Sequence, residues 1–461
     1  MKIGRVFFIL LLFLVSHVLL LTVVVHADEY GRYEEVTPPS VKKDEDSLEG
    51  GLKEKKILLP KLGDWMEELP KFWSKSSLTP HFRAYSFSRD FSDDEDPEAI
   101  AIGGELRYRS AQLFDRFNFG ASYYISHGVH DDGGDGTLLL GSNASDLNVL
   151  GQLYVEALLK DFHLRAYRQA FDLPYLNKQD SRMIPNTHEA FSIRREGKKV
   201  DFIAGQVTDI KLRDSESFIS MAEAAGVGDP DRGGQTSDLD SNENDSDRGT
   251  SMAGLRYRLS DNSSIGAINY YTWDTFNNFY SEFNFLKEWN EEIASKINLQ
   301  FTHQNSIGDD LIGRFSTNHY GVRVRTSYKN AILTLAATNT GTGRAIQSPF
   351  GGRPSYLSLI RRDFDRANEF GLLVGLSYDF SKLGLPGVSA FTNLAWGNNA
   401  EDPHTDENLA DATEYDFTID FRPKSGGLNG LWLRARYANV DFEGGEDTQD
   451  ARIILNYELP F

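Results

Sequence analysis

Four Arg-x-Arg pairs carry the sharpest chemical signal in this 461-residue chain: Arg107/Arg109, Arg256/Arg258, Arg323/Arg325 and Arg434/Arg436. A guanidinium is permanently charged and grips a carboxylate or phosphate through two parallel hydrogen bonds. A spacing of two puts both members of a pair on one face of an extended strand. Leu106/Tyr108, Leu255/Tyr257/Leu259, Val322/Val324 and Leu433/Ala435/Tyr437 occupy the other face. Such strands have a basic side and an apolar side. Charge is costly on the lipid face of a membrane barrel near its midplane, so the arginines are expected to point into a lumen. Arg83 and Arg165, early in strands of the same kind, join the set. A ring of guanidiniums makes an anion-attracting path. Inward carboxylates such as Glu105 and Glu458 could instead take these arginines up as wall braces, and both readings stay open at this level.

The elements that must hold them are read best from the two ends of the chain. In the last eleven residues Ala451, Ile453, Leu455, Tyr457, Leu459 and Phe461 share one face, and Arg452, Asn456 and Glu458 the other. That strand is long enough, tilted, to cross a bilayer. Stopping on an aromatic at the apolar face, it resembles the closing strand of bacterial outer-membrane barrels, and the resemblance implies that Tyr457, Leu459 and Phe461 are a signal to the barrel-assembly machinery. An open apolar edge strand would be an aggregation hazard in a soluble sheet. At the other end Lys2 and Arg5 precede the apolar run Phe7 to Val25 and a small residue, Ala27. This is the layout of a cleaved signal peptide, residues 1–27.

The body of the chain fits an antiparallel, up-and-down transmembrane β-barrel of about eighteen strands over residues 79–461. Residues 28–78 read as a charged periplasmic tether with a short amphipathic segment (Leu62, Trp65, Met66, Leu69, Phe72, Trp73). Short connections such as Lys160-Asp161, Asp261-Asn262 and Lys329-Asn330 alternate with long ones such as 126–148, 172–187, 213–249, 342–367 and 398–411. Short turns at one end and long loops at the other mark a membrane barrel. Both chain ends then lie at the short-turn, periplasmic end, and the arginines fall in the periplasmic half. The long links hold acidic clusters around Ser92 to Asp96, Asp238 to Asp247 and Glu401 to Glu407, read as solvated outer loops facing lipopolysaccharide.

Composition limits the chemistry. There is no Cys, so thiolate and disulfide chemistry are excluded. A net charge of −20 disfavours nucleic acid as a partner. His127, His130, His188 and His319 are scattered without a nucleophile at a telling spacing, so no enzyme, metal site or cofactor is expected.

One outer connection is unusually apolar: Phe171 to Thr187 carries Leu173, Tyr175, Leu176, Met183, Ile184 and two prolines. A loop of that kind is expected to fold into the lumen and narrow the pore. The run Leu173-Pro174 with Asp180-Ser181-Arg182-Met183-Ile184-Pro185-Asn186-Thr187 resembles a signature of OprD-family outer-membrane porins. So do Phe82-Arg83-Ala84-Tyr85-Ser86-Phe87-Ser88-Arg89-Asp90 and Gly427 to Tyr437. The resemblance implies a monomeric eighteen-stranded channel with a constriction loop, in which Asp180, Ser181 and Arg182 stand near the narrowest point. It also implies a basic ladder that passes amino acids or small carboxylates. Residues 213–367 match less clearly, and the segment before residue 78 lies outside the resemblance. The function expected is passive, partly selective passage of small polar or anionic solutes across the outer membrane of a Gram-negative-type bacterium. The alternatives are a general diffusion porin, or a structural barrel or adhesin whose acidic loops are its working surface.

Overall fold

The computed structural model describes residues 75–458 apart from 92–95, 132–136, 227–247, 424–427, 429 and 446. Expectations for residues 1–74, for the acidic clusters at 92–95 and 238–247, and for Leu459 and Phe461 lie outside the described residues.

Eighteen antiparallel strands close into one barrel. They are β1 (Ser77–Phe91), β2 (Glu98–Arg109), β3 (Phe117–Asp131), β4 (Leu147–Leu159), β5 (Phe162–Gln169) and β6 (Thr187–Arg195). Next come β7 (Val200–Lys211), β8 (Thr250–Ser260), β9 (Ser263–Thr272), β10 (Phe276–Asn290), β11 (Ile293–Ser306) and β12 (Ser316–Tyr328). The last are β13 (Ala331–Thr340), β14 (Phe370–Asp379), β15 (Val388–Asn398), β16 (Ala412–Phe421), β17 (Leu431–Phe442) and β18 (Thr448–Glu458). Each strand pairs with its sequence neighbours, and β18 closes on β1 from His81↔Glu458 to Phe91↔Thr448. Closure removes the exposed edge that a strand of this kind would otherwise present.

Alternation decides which way each residue points. Large apolar side chains such as Phe82, Ile102, Leu106, Val155, Leu255, Leu333, Leu376 and Ile453 are exposed on the outer wall. Ser122, Glu156, Thr302, Thr334, Asp416 and Arg434 are buried on the inner one. This is the inverse of a soluble core and what a lipid-facing barrel requires. The start of β1 and the end of β18 share one end of the barrel, that of the tight turns. Two of those turns place a lysine at positive φ, Lys160 (57°) and Lys329 (53°), as two-residue hairpin turns demand.

One glycine is fixed by close approach. Gly104 has φ 139°, and a Cβ there would stand 1.8 Å from the His81 carbonyl oxygen of β1. No side chain fits between these two strands.

Candidate pore constriction

The connection from β5 to β6, residues 170–186, folds inward. Its first part is a tight hairpin that pairs Asp172–Leu173 with Leu176–Asn177. The Tyr175 hydroxyl meets Thr302 Oγ1 of β11 at 2.8 Å, and the Tyr270 hydroxyl of β9 donates to the Pro174 carbonyl. The second part reaches β1. Arg83 grips Asp180 through Nη1–Oδ1 at 2.6 Å and Nη2–Oδ2 at 3.2 Å, and donates from Nε to Asn456 Oδ1 at 2.8 Å. Arg83 also reaches the Arg182 carbonyl, and Tyr85 donates to the Ser181 carbonyl at 3.3 Å. Met183 and Ile184 pack with Tyr85, Phe87, Ala99 and Ala101. Since β1 and β11 stand on nearly opposite sides of the ring, the segment crosses the bore. The apolar residues that set this loop apart in the sequence are the ones buried against the wall.

A second connection, 341–369, folds in from another side. The Arg361 and Arg362 backbone N–H groups donate to the Glu414 carboxylate at 2.9 and 2.7 Å, and that of Ile360 to Asp416 at 3.3 Å. Arg452 donates to the Ile360 carbonyl at 3.1 Å. Leu357 and Phe364 press on Gly371 and Gly397, where a Cβ would come within 2.5 Å of each side chain. In the sequence this is only a long link, because its anchors are backbone groups held by two acids of a distant strand.

Most of the sequence-selected arginines have carboxylate partners. Arg107 meets Glu105 at 2.5 Å and Glu458 at 3.8 Å. Arg165 meets Glu156 at 2.9 Å, and Arg109 and Arg194 approach the same carboxylate at 3.8 Å. Arg256 pairs with Glu282 at 3.2 Å, Arg258 with Asp201 at 2.9 Å and Arg434 with Asp420 at 2.7 Å. Arg323 lies over the Tyr356 ring at 4.4 Å and donates to Asn298 at 3.4 Å. Arg325 stands two residues further along β12, in register with Lys296, and Arg436 donates to Thr418 at 3.3 Å. The set is therefore largely an ion-paired wall. It keeps a positive excess where one acid serves several bases, as Glu156 does.

A tighter cluster escaped the sequence. Arg89, Arg182 and Arg452 surround the Phe87 ring with guanidinium carbons 5.2, 5.0 and 4.4 Å from its centre. All three are more than nine-tenths buried. Asp450 pairs with Arg89 at 2.8 Å and also with Arg452. Arg182 instead donates to the carbonyls of Thr137 at 2.6 Å and Ser181 at 3.0 Å. Ser181 also accepts from Arg213 at 2.7 Å through its hydroxyl. Burial, then the charges of Arg213 and Arg452, push the Arg182 pKa well below its ordinary value. Asp180, Ser181 and Arg182, consecutive in the loop, have Arg83, Arg89, Arg213 and Arg452 around them. Arg89 and Arg452 were legible only as single polar alternations, without a pair to mark them.

Partial withdrawal from water raises the Asp180 pKa, but the charge and hydrogen bonds of Arg83 outweigh it and hold it below the ordinary carboxylate value. A depressed folded-state pKa gives a contribution present above the unfolded value, about 3.9, and lost as pH falls through the folded one. Single-channel conductance is therefore expected to stay constant from pH 7 down to about 4.5. Further acidification should raise it as the loop loses its pin, and a pH series in planar bilayers checks this.

Other candidates take structural places. Tyr457 stands in register with Phe82 and Leu431. Glu401 accepts from Asn368 at 2.6 Å, and Asp402 caps the backbone of His404 at 2.8 Å. His319 does meet a hydroxyl, Ser355 Oγ at 3.3 Å, but both are buried where the second loop packs on the wall.

A family model for outer membrane porins of the OprD family matches residues 70–461. The chain belongs to the OprD family of outer membrane porins. Among solved structures, Pseudomonas aeruginosa OpdK, crystallised with vanillate, superposes with TM-score 0.74 at 19% identity, covering 85% of this chain and 100% of that one. P. aeruginosa OccK9 (OpdG) gives 0.74 at 20% identity with the same coverage. A BenF-like porin from Pseudomonas fluorescens Pf-5 gives 0.73 at 18%, again covering 85% and 100%. No curated protein matches. OprD porins are passive channels and not enzymes, so this porin lets small solutes cross the outer membrane by diffusion. Its eighteen-stranded barrel is that of the family's solved members.

Proposed function

We propose that this OprD-family porin passes small anionic or zwitterionic solutes, amino acids or small carboxylates, with selectivity set by arginines at the constriction. The observation that carries the reading is the group Arg89, Arg182 and Arg452 around Phe87, with the Asp450 carboxylate between two of them. Guanidiniums buried in the wall of a narrow, low-dielectric passage act on an anion more strongly than the same charges in water do. The wall arginines Arg83, Arg107, Arg109, Arg165, Arg256, Arg258, Arg323, Arg325, Arg434 and Arg436 continue the path toward the periplasm as a ladder softened by its carboxylates. Vanillate in OpdK is one small carboxylate of the proposed class.

The chain reaches its place through cleavage after Ala27, recognition of Tyr457, Leu459 and Phe461 by the assembly machinery, and a lipopolysaccharide-facing outer surface. It acts as a monomer. A general diffusion porin is the second reading, and the ion pairing of most wall arginines favours it. A salt gradient across a planar bilayer separates the two. Selective passage predicts small single-channel steps with a reversal potential displaced toward anions. Large steps with a reversal potential near zero would support the general porin.

A further inference from the structure

The two inward loops meet around Asn177, beside an apolar cluster that holds Leu176 of the first and Ile346 and Phe350 of the second. Asn177, at the end of the hairpin in the first loop, is 4% exposed. Its Nδ2 donates to the Leu173 carbonyl at 3.1 Å and to the Gly352 carbonyl at 2.9 Å. Its Oδ1 accepts from the Gln179 N–H at 3.0 Å and the Gly352 N–H at 2.9 Å. The amide has two donor hydrogens and two acceptor lone pairs, and all four are used. Half bind its own loop and half bind the second. The Asn177 backbone N–H adds a bond to the Phe350 carbonyl at 3.3 Å. Gly351 is shaped to this contact, since a Cβ there would lie 2.6 Å from Asn177 Oδ1 and 2.7 Å from its nitrogen.

Each loop also has its own ties to the wall. The first is held by Arg83 of β1 and Thr302 of β11, the second by Glu414 and Asp416 of β16. The second loop also touches β11, where Gln347 N–H donates to Gln304 at 2.8 Å. We infer that Asn177 is a positioning residue that couples the two loops into one rigid aperture, so that the width of the passage depends on this amide rather than on either loop alone. Lost, it removes two bonds to the Gly352 backbone and two within its own loop, a cost that favours separation of the loops.

The inference rests on the porin reading, and its test keeps the two apart. Purified full-length protein is inserted in planar bilayers as wild type, Asn177→Ala, Asn177→Asp and Gly351→Ala. Wild-type channels that conduct uphold the porin reading whatever the variants do; a wild type without conductance overturns both. Asn177→Ala and Gly351→Ala are expected to give larger single-channel steps, at least about twofold, with added open-channel noise. Asn177→Asp keeps the acceptor but turns the donor toward carbonyls into a charge. It should leak at pH 7.5 and move back toward the wild-type step size near pH 4.5, where burial favours the neutral acid and its one O–H restores one of the two donated bonds. A residue that merely helped the barrel fold would not show that recovery. Variant steps equal to wild type at both pH values would overturn the coupling. So would an Asn177→Asp step that stays enlarged in acid.

Discussion

Replacing Arg83 with alanine is expected to raise single-channel conductance severalfold and to make it fluctuate. Arg83 is 8% exposed and holds Asp180 with two nitrogens, Asn456 with a third contact, and the carbonyls of Arg182 and Met183. Breaking a buried ion pair by removing one partner costs about 3–5 kcal/mol, because the other charge is left without compensation. Asp180 keeps 44% of its side-chain surface open to the lumen, so water recovers part of that, and about 2 kcal/mol is a fair figure for the loop. A change of that size shifts a closed-to-open ratio about thirtyfold. The loop would then spend appreciable time away from β1. Arg83→Lys keeps the charge and loses the fork, so it should give an intermediate step size. Bilayer recordings of both variants, with urea unfolding in vesicles as a control for the barrel, check the result. Unchanged conductance in a folded Arg83→Ala barrel would remove the pin from the account.

The barrel was legible in the sequence because a membrane enforces alternation. Leu106 and Leu255 had to face lipid, which turned Arg107 and Arg256 inward whatever else the fold did. The connection with Met183 and Ile184 announced itself by being too apolar for water. What the arginines bind was not legible, since it depends on register between strands far apart in the chain. Arg258 meets Asp201 only because β7 and β8 pair across a long link. Arg89 and Arg452 meet at Phe87 only because β18 returns to close on β1. The second inward loop was hidden for a different reason. Its hold on Glu414 and Asp416 uses backbone N–H groups, which every sequence has.

Replacing Arg452 with glutamine is expected to lower the anion-to-cation permeability ratio about fivefold while leaving the step size close to wild type. At an effective dielectric constant near 20, a charge about 8 Å from a passing ion contributes roughly 2 kcal/mol, and salt screening removes about half. The remaining 1 kcal/mol or so corresponds to about a fivefold change. Arg452 shares Asp450 with Arg89, so the carboxylate keeps a partner when the guanidinium is removed. Glutamine is too short to keep the bond to the Ile360 carbonyl, but the second loop keeps its backbone bonds to Glu414 and Asp416. Loss of charge is thereby separated from loss of shape. The reversal potential under a salt gradient reads the first and the step size reads the second. Arg452→Lys should keep the anion preference. A reversal potential unmoved by Arg452→Gln would mean that Arg182 and the wall arginines set the field, and that the Phe87 cluster only holds the two loops against β1 and β18.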